Sequence, residues 1–130
     1  MKKILFPTEF SNHAPEVFRY ATELAFHFEA NLVVMHAFGK PEMNLITEDE
    51  LEHMADVATG TMVEFVLKNL PNEYRQHIHI DYVAKTSYPS KAILETALEE
   101  NIDFIVMGMT DKTKTLNAIF GTITLDILAK

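Results

Sequence analysis

The chain has 130 residues, 48% of them hydrophobic and 23% charged, which suits one globular domain and excludes wholesale disorder. It has no cysteine, so disulfides, cysteine-held metals, iron–sulfur clusters and thiol catalysis are excluded. A net charge of −8, with lysines and arginines scattered singly, argues against nucleic acid as a partner. The apolar run after Lys2 and Lys3 is far too short for a signal peptide. No stretch reaches the roughly eighteen apolar residues of a membrane span. The expectation is a soluble, cytoplasmic protein with no membrane partner.

Lys2 to Phe6 reads as a short buried strand stopped by Pro7. Ser11 or Asn12 can cap the helix that follows, and Pro15 is tolerated in its first turn. Ala14, Val17, Phe18, Ala21, Leu24, Ala25 and Phe28 then share one helical face. Asn31 to Phe38 holds Leu32-Val33-Val34-Met35, a continuous apolar run suited to a strand covered on both faces. After a loop from Gly39 to Ile46, Thr47-Glu48-Asp49-Glu50 forms a capping box, with its acids against the positive end of the helix dipole. That helix runs to about Asn69, with Leu51, Met54, Ala55, Ala58, Met62, Phe65 and Val66 inward. Gly60 inside it marks either a close approach or a weak point.

His77 to Ala84 alternates polar and apolar, as a strand near a sheet edge does. Pro89 opens a third helix with Ala92, Ile93, Ala97 and Leu98 inward. Asp103 to Gly108 is another buried strand. A loop to about Leu116 leads into a last helix carrying Ile119, Phe120, Ile123, Ile127 and Leu128. Strands alternating with helices predict an open α/β domain, a parallel sheet with helices on both faces.

In such sheets a ligand crevice lies beyond the carboxyl ends of the strands, where the strand order reverses. The candidate loops are Pro7 to Asn12, Gly39 to Ile46, Ser87 to Ser90 and Met107 to Thr115. The last holds Lys112, Lys114 and several threonines near a predicted helix start, which suits either an anion or plain solvent. His77, His79 and Asp81 have the spacing of a metal site, but the wet side of a strand accounts for them, and no metal is assigned. Nucleophile elbow, Walker sequence and dinucleotide fingerprint are all missing, so no catalytic set is assigned either.

Lys3-Ile4-Leu5-Phe6-Pro7-Thr8-Glu9-Phe10-Ser11 resembles the opening of the universal stress protein family, a strand running into Pro-Thr-Asp-Phe-Ser. Val34-Met35-His36-Ala37, Asp103-Phe104-Ile105-Val106-Met107-Gly108 and Gly121-Thr122 are similar to later family segments, in order along the whole chain. The resemblance implies a Rossmann-like sheet of order 3-2-1-4-5 and frequent homodimers. In one branch it implies ATP bound through Gly-x2-Gly-x9-Gly-Ser/Thr.

Here that pattern opens at Gly108 and closes at Gly121-Thr122, but Asp111 replaces the second glycine and adds a Cβ and a negative charge. Any adenine nucleotide, ATP or AMP, would by this resemblance meet Pro7, Thr8, Glu9, Ala37, Met107, Gly108, Asp111, Lys112, Lys114, Gly121 and Thr122. Tyr88 of Ser87-Tyr88-Pro89, where the family often has Gly-x-Pro, either narrows the mouth of the pocket or is a plain surface residue. The family's fifth strand, typically Cys-Pro-Val-Leu-Val-Val, is not in the chain. That predicts an unpaired edge on the fourth strand and a truncated domain or the first part of a longer, tandem protein. The functional expectation is a stress-response module that is not an enzyme. It acts through contacts with unidentified proteins, as a homodimer or beside a partner domain, with nucleotide binding weak or absent. The alternative is an ATP- or AMP-binding regulatory switch.

Overall fold

A computed structural model describes residues 2–38, 46–110 and 115–121. β1 (Lys3–Pro7), α1 (Ala14–His27), β2 (Asn31–Ala37), α2 (Glu48–Asn69), β3 (Ile80–Lys85), α3 (Pro89–Glu99), β4 (Phe104–Thr110) and β5 (Thr115–Gly121) follow in order. They build one sheet of order β3-β2-β1-β4-β5. β1 pairs in parallel with β2 and β4, and β2 pairs in parallel with β3. The expected Rossmann-like architecture holds, with strands 3-2-1-4 parallel.

The period of two in the central strands sorts their side chains onto two faces. Ile4, Phe6, Leu32, Val34 and Val106 face α1 and α2, where they meet Val17, Phe18, Ala21, Met62 and Val66. Leu5, Val33, Met35 and Ile105 face α3 and meet Ala92, Ile93 and Ala97. Leu32 to Met35 are all buried, as a strand covered on both sides requires. Phe6, Phe18 and Phe65 form an aromatic cluster, with Phe18 5.3 Å from Phe6 and 5.4 Å from Phe65 between ring centres.

Local chemistry explains the helix ends. Thr47 Oγ1 accepts the Glu50 amide at 3.1 Å, which caps α2 as its sequence predicts. α1 differs from expectation at its start: His13 holds the N-cap position without a side-chain cap bond, and the Ser11 carbonyl, not its hydroxyl, accepts from Ala14 at 3.0 Å. Gly60 is the weak point of α2, because a Cβ built there meets nothing within 4 Å. Gly60→Ala is therefore expected to stabilise the domain by about 0.5–1 kcal/mol, read as a raised denaturation midpoint. A midpoint that stays put would mean that α2 frays around this position in the native state.

Four expectations need correction. Phe28 and Leu98 are 52% and 58% exposed rather than inward. Phe28 is the C-cap of α1, past the last helical turn, and its ring stacks on Phe104 instead. In α3 the inward position falls to Thr96, 1% exposed, between Ile93 and Ala97. β3 starts at Ile80, not His77, because its ladder to β2 starts with Ile80 opposite Leu32.

The largest correction concerns residues 115–121. They form neither loop nor helix but β5, antiparallel to β4 from Thr110↔Thr115 to Phe104↔Gly121. The edge of β4 is thus paired rather than open, which removes the ladder of free amides and carbonyls expected there. Residues 122–130, including Ile123, Ile127 and Leu128 of the predicted helix, lie outside the described residues. At the opposite edge, Lys85 of β3 turns in to Glu99, with Nζ–O distances of 2.8 and 3.1 Å, and reaches Glu95 at 4.0 Å. A charge held this way discourages further strands from pairing with β3. Among the described residues no helix is long and apolar enough to cross a membrane.

Candidate functional site

The chain order makes the crevice. β1, β2 and β3 step outward to one side, and α3 then carries the chain back across to β4 on the other side of β1. Loops leaving the carboxyl ends of β1 and β4 therefore diverge, and a gap opens between them. A cavity of about 310 Å³ occupies that gap. Its walls are Phe6, Pro7 and Thr8 from β1 and its end, Met35 and Ala37 from β2, and Met107 and Gly108 from β4. The first turns of α1 and α3 close it with Ala14, Val17, Pro89 and Ile93, and Glu9, Ser11 and His13 add polar groups.

The segment after β1 is fixed from three directions. The Thr8 amide donates to the Met35 carbonyl at 2.8 Å, which extends the β1–β2 ladder by one residue. Thr8 Oγ1 accepts the Phe10 amide at 3.0 Å. The Thr8 carbonyl meets His36 Nδ1 at 2.7 Å. A carbonyl can only accept, so Nδ1 carries the hydrogen of that bond. Phe10 has φ of 60°, a left-handed conformation unusual for a bulky side chain. Its ring lies 4.7 Å from His36 and 5.7 Å from Phe65, contacts that hold the strained residue in place. Glu9 is thereby left exposed between two anchored neighbours, at the mouth of the cavity.

Of the residues predicted for a nucleotide, Pro7, Thr8, Glu9, Ala37, Met107 and Gly108 line this one cavity. Asp111, Lys112, Lys114 and Thr122 lie outside the described residues. Gly121 does not join the group: it sits opposite Phe104, whereas Asn117 is opposite Gly108. Four residues of strand separate Gly108 from Phe104, about 13 Å at strand spacing. The two glycines of the pattern lie apart along the β4–β5 pair because residues 115–121 run back along β4, which puts Gly121 beside Phe104. Tyr88 is 67% exposed and is not part of the lining; its neighbour Pro89 is.

Sequence reasoning treated Val17 and Ile93 as plain core and did not assign Ser11. The available signal was position: Val17 and Ile93 are inward residues about one turn into the helices that follow β1 and β3. Such residues face the strand ends as well as the core.

At the amino ends of the strands a wider cleft of about 850 Å³ runs between Phe26, His27, His77 and His79. His77 stands outside β3 with its ring 5.9 Å from that of Phe26, while His79 Nε2 meets Asp81 Oδ1 at 3.1 Å. Among the described residues, no group of three or more histidines and carboxylates is placed to hold a metal ion.

Comparison with known proteins points one way. The chain is 26% identical over 125 residues to a universal stress protein of Methanocaldococcus jannaschii, covering 94% of this chain and 72% of that protein. In three dimensions it resembles the universal stress protein UspA from Lactobacillus plantarum. There the TM-score is 0.58 at 22% identity, over 87% of this chain and 80% of that one. It also resembles a universal stress protein in complex with cAMP, with a TM-score of 0.53 at 15% identity, over 78% of this chain and 72% of that one. The sequence profile of the universal stress protein family matches residues 1–130, and the chain belongs to that family.

Proposed function

We propose that the protein is a cytoplasmic stress-response module that works through contacts with other proteins, as a homodimer or beside a partner domain. It binds rather than catalyses, and it holds adenine nucleotides such as ATP weakly. The observation that carries this reading is the β4–β5 register. With Gly121 opposite Phe104, the closing end of the glycine pattern lies about four residues of strand away from the cavity that would hold the rest of the nucleotide. In the family's glycine pattern, Asp111 puts a negatively charged residue in place of the second glycine.

A second reading, an ATP- or AMP-binding regulatory switch, is favoured by the cavity at the switch point of the sheet. The structural neighbour in complex with cAMP supports it as well. The test is to denature the purified protein, identify any released nucleotide by chromatography, and titrate nucleotide-free protein with ATP. The interaction module predicts no stoichiometric nucleotide and a Kd no tighter than about 1 mM, corresponding to about −4 kcal/mol. Near-stoichiometric adenine nucleotide, or a micromolar Kd that Gly121→Val abolishes, puts the switch ahead.

A further inference from the structure

The end of β2 and the residue after it line two cavities, one on each face of the sheet. Met35 and Ala37 line the cavity at the switch point, and His36 and Phe38, which alternate with them, line a second. The segment after β1 divides in the same way, with Thr8 and Glu9 on the first cavity and Phe10 on the second. Met54, Val57 and Ala58 of α2 form the opposite wall of this second site, a groove of about 370 Å³. We infer that the groove binds a small, uncharged aromatic molecule carrying a hydroxyl group, a phenol in chemical class. Such a ligand is separate from whatever the first cavity holds.

Shape and surface set the ring. The volume lies near the small end of the roughly 300–1,000 Å³ range of ligand pockets, which suits one or two rings. Phe10 and Phe38 offer aromatic faces and edges to a flat molecule, and Met54 adds an adaptable thioether.

The hydrogen bonds already made set the hydroxyl. His36 Nδ1 spends its hydrogen on the Thr8 carbonyl at 2.7 Å. In a neutral imidazole the other nitrogen, Nε2, then has a lone pair and no hydrogen. Thr61 also lines the groove, and its Oγ1 donates to the Val57 carbonyl at 3.0 Å. With that hydrogen spent, the Thr61 oxygen can only accept from a ligand. Two polar side chains of the groove therefore call for a donor.

Charge sets the neutrality. Glu52 and Asp56 are exposed on α2 beside His53 and Val57, two residues of the lining. Their carboxylates oppose the approach of an aromatic acid. An uncharged phenol meets no such repulsion.

The experiment titrates the purified full chain at about pH 8, where an ordinary imidazole is neutral. The probes are p-cresol, its methyl ether and p-toluate, each followed by the amide shifts in nitrogen–proton NMR. The methyl ether keeps the ring and the oxygen without the donor, and p-toluate brings a negative charge. The expected Kd of p-cresol is about 0.1–1 mM, as suits so few atoms. Its shifts are expected at Phe10, Phe38, Val57 and Ala58, and not at Ile93 and Gly108 of the first cavity. The other two probes are expected to bind at least about fivefold more weakly.

His36→Asn separates hydrogen bonding from shape. The Asn Nδ2 can keep the bond to the Thr8 carbonyl, but the Nε2 acceptor is gone. Its expected effect is to bring p-cresol and the methyl ether to within about twofold of each other. Val57→Trp, at a position 56% exposed, is expected to fill the groove and abolish p-cresol binding in a folded protein. No saturable shift with p-cresol overturns the inference, as do shifts confined to the first cavity. A preference for p-cresol that survives His36→Asn overturns it too. If His36→Asn does not fold, p-cresol binding that survives Val57→Trp has the same force.

Discussion

Phe18→Ala lowers the stability of the domain by about 3–5 kcal/mol, the upper range for a core truncation. Phe18 is fully buried, and its ring packs against Phe6 of β1 and Phe65 of α2, so it ties α1 to both the sheet and the neighbouring helix. Such a site cannot collapse after truncation, because its walls belong to three separate elements held by their own hydrogen bonds. The void left behind adds its cost to the lost transfer energy. For a chain of this length the melting temperature is expected to fall by about 10–20 °C. Chemical denaturation with unchanged slope is the measurement. A loss under about 1.5 kcal/mol would mean that α2 moves in to fill the space and that the α1–α2 face is loosely packed.

Ile105→Ala comes next, with an expected loss of about 2–3 kcal/mol, the lower part of the range for its residue type. Ile105 lies on the other face of the sheet, opposite Leu5 of β1 and Phe120 of β5, and is fully buried against α3. Among the described elements α3 alone covers this face, so the helix has room to settle toward the sheet and recover part of the void. The ranking is the sharper claim. If Ile105→Ala costs more than Phe18→Ala, the face under α3 is the more rigid of the two, and the account of helix settling is wrong.

The parallel part of the fold was legible because its signals are local and unopposed. Leu32 to Met35 has the continuous apolar run of a strand covered on both sides, and Thr47 followed by three acids is a helix-start signature. Pro7, Thr8, Glu9, Ala37, Met107 and Gly108 were grouped in the sequence by resemblance to the family, and they line one cavity because the carboxyl ends of β1, β2 and β4 lie side by side.

Residues 115–121 were not legible, and the reason is physical. Leu116, Ile119, Phe120 and Ile123 recur at i, i+3, i+4 and i+7, a helical spacing, while Thr115, Ile119 and Phe120 are also good strand formers. Local preference leaves the two states close, and the free edge of β4 decides between them. That edge is a tertiary feature invisible to any window along the chain, and the position of Gly121 depends on it. Phe28 and Leu98 failed differently: Phe28 lies past the last turn of α1, whereas Leu98 lies inside α3 but beside the buried stripe, which runs through Thr96 and Ala97.

β1 lies at the centre of the sheet although it is the first strand made. The Lys3 amide donates to Asp103 Oδ2, and the Asp103 amide donates to the Lys3 carbonyl, each at 2.9 Å across one hundred residues of chain. During synthesis at about 5–20 residues per second, one side of Ile4, Leu5 and Phe6 stays open for about 5–20 s before β4 exists to close it. β2 arrives early and can cover the other side, so the nascent chain carries a half-finished apolar strand through most of translation. A ribosome that stalls between β3 and β4 would release a piece whose most hydrophobic edge is bare, and that piece is the form of this protein most in need of a chaperone.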